Sequence, residues 1–140
     1  MKKLLPLPVI AVLLLGFSLS CKKAIEKKQQ QIIMDAITDG VWIVEQYLEG
    51  ANNITSDFLN YDFIFYENGT VTGTISGVST NGTWAGDATN YSITSDFPSA
   101  GNPLKKLNGL WKIKDSYWDY VKAETTTASG INVVQLRKKP

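Results

Sequence analysis

The sequence predicts an all-β domain, an eight-stranded antiparallel up-and-down barrel, behind an N-terminal amphipathic helix. Three observations predict it. Beyond Gly40 the chain becomes a succession of short β-branched and aromatic runs broken by turn residues. Asn68-Gly69 stands between two of these runs, where a tight hairpin needs residues that tolerate positive φ. Before Gly40, Ile25, Ile32, Ile33, Ala36 and Ile37 recur at helical spacing, with Lys27, Lys28 and Asp35 largely off that stripe.

Taken in order, the helix spans Ala24–Asp39 and is stopped by Gly40. Its lysines invite attraction to anionic lipid, but Glu26 and Asp35 dilute the charge, so a solvated face is the preferred reading. Strands follow at Val41–Glu49, Tyr61–Glu67, Thr70–Ser76, Thr83–Ala85, Asn90–Ser95, Leu110–Lys114, Tyr117–Glu124 and Ile131–Lys138. Thr80-Asn81-Gly82, Gly86-Asp87, Asp115-Ser116 and Ser129-Gly130 are the expected reversals besides Asn68-Gly69. Two connections are longer. Gly50 to Asn60 joins the first two strands, and Phe97 to Gly109 carries one helical turn with Asn102 as N-cap and Pro103 at its first position. Binding, where it occurs, favours such loops. Eight hairpin-joined strands can close and leave no exposed edge, although an open bent sheet or a sandwich gives a similar pattern.

The first 20 residues read as a leader. Met1-Lys2-Lys3 is a positive start, Leu4 to Leu15 an apolar run too short for the roughly 20 residues of a spanning helix, and small residues precede Cys21. Ser18-Leu19-Ser20-Cys21 resembles the lipobox of bacterial lipoproteins, with Ser18 where leucine is usual. An ordinary secretory cut after Ser20 fits the same residues and leaves Cys21 unmodified. The resemblance implies cleavage before Cys21, acylation of that residue and a membrane tether outside the cytosol. Lys22 and Lys23, in place of aspartate, imply the outer membrane, facing the periplasm or the exterior. The expected divisions are residues 1–20 as signal peptide, 21–39 as lipidated N-terminus and helix, and 40–140 as the β domain.

Composition narrows the chemistry. Loss of Lys2 and Lys3 takes Lys+Arg from 14 to 12 against 13 Asp+Glu, so the mature net charge is near −1 and gives no argument for nucleic acid. The chain has no histidine and one cysteine, which removes Ser-His and Cys-His nucleophiles and histidine-held zinc. Asp115, Asp119 and Glu124 are carboxylates near one hairpin, but acidic residues are favoured at turns for solvation alone. No catalytic residue, metal site or cofactor is expected, and a monomer is.

Gly-x-Trp occurs three times, as Gly40-Val41-Trp42, Gly82-Thr83-Trp84 and Gly109-Leu110-Trp111. Glycine lets the backbone bend or approach closely, and the indole two residues on can plug one end of a small barrel. The order of amphipathic helix, Gly-x-Trp strand, long loop, Asn-Gly hairpin and second Gly-x-Trp resembles the lipocalin-like domains of small bacterial lipoproteins over residues 38–138. The resemblance implies an eight-stranded barrel in which a late basic residue packs over the first tryptophan. Arg137, the chain's only arginine, is the expected partner of Trp42.

Two functions follow as expectations. A barrel can hold a small apolar or amphipathic ligand, and period-two alternation puts Tyr61, Phe63 and Phe65 on one face, with Trp42, Tyr47, Trp84, Tyr91 and Trp118 as further aromatic surface. A barrel of this size is also just wide enough to be filled by its own side chains. The alternative is a packed structural or interaction domain contacting an envelope protein or a surface glycan, with the aromatic run Tyr117 to Tyr120 as its motive. An empty interior favours the first and a filled one the second.

Overall fold

Period-two alternation sets the wall of the molecule. The computed structural model describes the backbone of residues 7–140, and the side chains from Cys21 onward except Glu26. The leader's Met1-Lys2-Lys3 lies outside the described residues. Helix α1 (Leu7–Thr38) runs without a break through Cys21 and ends before Gly40, whose φ of +83° turns the chain into the first strand. Among the described residues no helix is long and apolar enough to cross a membrane.

The strands are β1 (Trp42–Glu49), β2 (Asn52–Asn53), β3 (Asp62–Phe65), β4 (Thr70–Ile75), β5 (Val78–Asp87), β6 (Ser92–Asp96), β7 (Gly109–Tyr117), β8 (Tyr120–Thr127) and β9 (Gly130–Lys138). All neighbours are antiparallel, and β9 pairs back onto β1 from Trp42↔Lys138 to Glu49↔Asn132. With β2 a two-residue addition to the end of β1, the remaining eight strands form a closed barrel. In β1 the register slips between Val44 and Gln46, and this extra residue lets Trp42, Val44 and Tyr47 all point inward while Glu45 faces out. The core holds these three with Phe63, Phe65, Val71, Trp84, Trp111, Val121 and Val134.

The Asn68-Gly69 hairpin forms as expected. Gly69 has φ of +86°, and Asn68 Oδ1 accepts the Thr70 N–H at 3.0 Å. Three other reversals fall elsewhere. Strand β5 is ten residues long and absorbs Thr80-Asn81-Gly82, the turn lying instead at Ser76-Gly77 with φ of +51° and +76°. Gly82 marks a close approach: a Cβ there would stand 2.6 Å from the Asp96 carbonyl oxygen and 2.8 Å from the Phe97 ring. Gly86-Asp87 ends β5, so the chain turns over Ala88 to Tyr91. Asp115-Ser116 lies within β7, and the turn falls at Trp118-Asp119, because a register slip between Ile113 and Asp115 carries the strand further.

The long connections fold inward. Thr55–Phe58 is a short 3-10 helix that buries Phe58. Leu104–Leu107 is another that buries both leucines; Pro103, not Asn102, caps it, and no side chain bonds the cap. Because the strands alternate up and down, the β3–β4, β5–β6 and β7–β8 reversals share the end where α1 enters. The two long connections and the β4–β5 and β8–β9 reversals share the other.

Candidate functional site

Two places could carry function, the barrel interior and the rim beside the helix. In the interior, Trp42, Phe63, Phe65 and Trp84 are all buried and in mutual packing with the core. Tyr61 is half-buried and stacks on Phe63 with ring centres 5.9 Å apart. Phe65 meets Trp84 edge-on at 5.5 Å. The expected one-sided stripe of Tyr61, Phe63 and Phe65 is therefore present, but it is core.

Each of the three Gly-x-Trp indoles is pinned by the same kind of bond. Trp42 Nε1 donates to the Ile37 carbonyl, Trp84 Nε1 to that of Tyr66 and Trp111 Nε1 to that of Leu107, each at 2.9 Å. Ile37 lies in the last turn of α1, where carbonyls lack helical partners, so the strand's first tryptophan satisfies one of them. Trp42 and Trp84 close the helix end. Trp111 serves the opposite end, so the motif does not plug one end alone.

At that opposite end the loop expected to bind acts as a stopper. Tyr47 stacks on Phe58 at 5.1 Å and meets Trp111 edge-on at 5.8 Å. Its hydroxyl donates to the Lys106 carbonyl at 2.7 Å, which ties the wall to the second long connection. Burial pushes the Tyr47 phenol up to about 12. Asn53 Oδ1 accepts the Thr55 N–H at 3.0 Å, and Thr55 Oγ1 accepts the Tyr47 N–H at 2.9 Å. What is left inside is an apolar cavity of about 60 Å³ between Phe63, Phe65, Val71, Phe97, Trp111 and Val134. Pockets for small molecules run to roughly 300–1,000 Å³.

The geometry of this closed barrel has a solved counterpart. It is similar to the crystal structure of a DUF4847 family protein from Bacteroides vulgatus, with a TM-score of 0.54 and 12% identity over 77% of this chain and 99% of that one. At such identity the likeness is one of fold. No protein-family model matches the chain, and no curated protein does.

The rim beside the helix carries the charged and exposed aromatic groups. Arg137 does not cover Trp42. Its guanidinium lies 4.7 Å from the Tyr120 ring centre and bonds Glu45 at 3.2 Å and Asp119 at 3.5 Å. Lys138 takes the expected place, its Nζ 5.4 Å from the Trp42 ring and 5.6 Å from that of Trp118. Parity is the reason: Val134, Leu136 and Lys138 share the inward face of β9, and Arg137 is on the other. The Gln135 amide, ahead of Arg137, holds the Glu45 carboxyl below its ordinary value, against the opposing effect of burial.

Tyr91 and Trp118, expected to add aromatic surface inside, both point out, and Trp118 is 72% exposed. Of the hairpin carboxylates, Asp119 pairs with Arg137 and Glu124 stands 3.9 Å from Lys114. Among the described residues no three acidic or cysteine side chains gather as a metal site would require. Cys21 is exposed on α1. Sequence reasoning missed Phe58, Leu104 and Leu107 as interior residues. The signal was there in Phe58 and in the Leu104–Leu107 spacing, since an apolar residue in a long polar loop needs cover.

Proposed function

We propose that the chain is a lipid-anchored envelope protein whose lipocalin-like barrel is a packed platform, working through its outer surface on an envelope protein or a surface glycan. Residues 1–20 are removed, Cys21 takes the acyl chains, and Lys22-Lys23 sort the protein to the outer membrane. It acts as a monomer without catalysis or cofactor. The filled interior supports the platform reading: Trp42 and Trp84 stop one end, Phe58 and Leu107 the other, and about 60 Å³ remains between them. That is well below the roughly 150 Å³ of an apolar cavity that accepts benzene.

A second reading keeps the interior as the site of a small apolar ligand. The apolar lining of the cavity, Phe97 and Leu107 included, favours it. Native mass spectrometry of protein taken from its own envelope separates the two. A cross-linked partner with no copurifying small molecule supports the platform; a stoichiometric small molecule overturns it. Mass spectrometry of the mature N-terminus tests the anchor, and an unmodified Cys21 overturns it.

A further inference from the structure

The two ends of the barrel differ in the apolar residues they expose. Among the described barrel residues, the large exposed ones at the helix end are all aromatic: Tyr66 after β3, Tyr91 before β6, and Tyr117 and Trp118 at the β7–β8 reversal. Those at the opposite end are all aliphatic: Leu59, Val78, Leu110 and Ile131. Core packing does not account for the aromatic set: Trp118 meets the Lys138 ammonium 5.6 Å from its ring centre and Tyr117 lies tilted against the Tyr120 ring at 6.2 Å, yet all four remain exposed. Tyr and Trp are the residues that settle at the level of lipid headgroups, where an apolar ring meets a wet polar tip.

The helix leads to the same end. Gln30 is clamped to the barrel, its amide donating to the Gly86 carbonyl at 2.7 Å and accepting the Ala88 N–H at 2.9 Å. From Cys21 to Gln30 the helix rises only roughly 14 Å. Lys22, Lys23, Lys27 and Lys28 outnumber Glu26 on that stretch, and the net positive charge that remains suits anionic headgroups. A short helical arm thus holds the aromatic end, and not the aliphatic one, within reach of whatever Cys21 is attached to.

We propose that the helix end of the barrel docks on the headgroup layer of a bilayer, with Tyr117 and Trp118 at the point of deepest contact and Tyr66 and Tyr91 beside it. The proposal rests on the lipid-anchored reading for the membrane it faces, and goes beyond it in fixing the barrel's orientation. The aliphatic end is then the one left free for a partner.

Trp118 reports on this directly, because Trp42, Trp84 and Trp111 are buried to 5% exposure or less. The acylated mature chain, beginning at Cys21, is placed in vesicles of phosphatidylethanolamine and phosphatidylglycerol, with and without brominated acyl chains. Brominated lipid is expected to quench tryptophan emission by roughly a quarter, the share of one indole in four, and to leave Trp118→Phe nearly unquenched. Equal emission in both vesicles overturns the docking, as does equal quenching of Trp118→Phe. Trp118 shielded from iodide in whole envelopes yet unquenched by brominated lipid means a protein covers it, which also overturns docking. Mass spectrometry of the same sample keeps the two ideas apart. Acylated Cys21 without quenching removes the docking alone, and unmodified Cys21 with quenching by added vesicles removes the anchor alone. An unchanged thermal midpoint in Trp118→Phe shows that the loss of quenching is not loss of fold.

Discussion

Lys138 Nζ lies 5.4 Å from the Trp42 ring centre, across the strand pair that closes the barrel. Its side chain is only 10% exposed and also reaches Asp39 at 3.3 Å. Lys138→Met, which keeps the stem and removes the charge, is expected to lower stability in urea by about 1 kcal/mol. Lys138→Arg is expected to retain most of it, and Arg137→Ala to shift the midpoint less than Lys138→Met.

Gly82 is a packing glycine. Ala at this position would press a methyl against the Asp96 carbonyl and the Phe97 ring. Gly82→Ala is expected to cost about 1–3 kcal/mol by chemical denaturation. Gly101→Ala is the control: nothing lies within 4 Å of its added carbon, and it is expected to stay within about 0.5 kcal/mol.

Phe58 is the stopper of the end away from the helix. Phe58→Ala is expected to cost about 3–5 kcal/mol and to join its space to the cavity between Phe63 and Trp111. Xenon or benzene then shifts the methyl resonances of Val71 and Val134 in the variant, while the parent shows no such shift.

Tyr47 sets an alkaline limit. Its phenol titrates near 12 in the folded chain against an ordinary 10.0, with burial as the main cause. Above pH 10 the unfolded chain loses this proton first and so binds fewer protons than the folded one; stability falls as pH rises from 10 toward about 12. Tyr47→Phe is expected to flatten that part of the pH profile. It also costs about 1 kcal/mol at neutral pH through loss of the bond to the Lys106 carbonyl.

The parts of the fold legible in the sequence are those set by local rules. The Asn68-Gly69 turn, the stop at Gly40 and the inward run Phe63 and Phe65 need only neighbouring residues. What was not legible depends on residues far along the chain. Gly82 looks like a turn until Phe97 is seen against it, and Ser79 to Asn81 look like a loop because their side chains are polar, although β4 pairs with them throughout. The partner of Trp42 was within reach of the sequence. Counting parity back from Lys138 to Val134 puts the lysine, not Arg137, on the indole's face. The interior could not be judged in advance, because whether a barrel is a container or a solid depends on where two loops place Phe58, Leu104 and Leu107.

The bond from Trp42 to the Ile37 carbonyl spans the only turn between helix and barrel. It makes a mechanical joint. A force applied at Cys21 passes along α1, through that carbonyl and the Gln30 clamp, into β1 and β5 without loading the Gly40 hinge alone. The barrel therefore turns with its arm and does not trail behind it like a weight on a string.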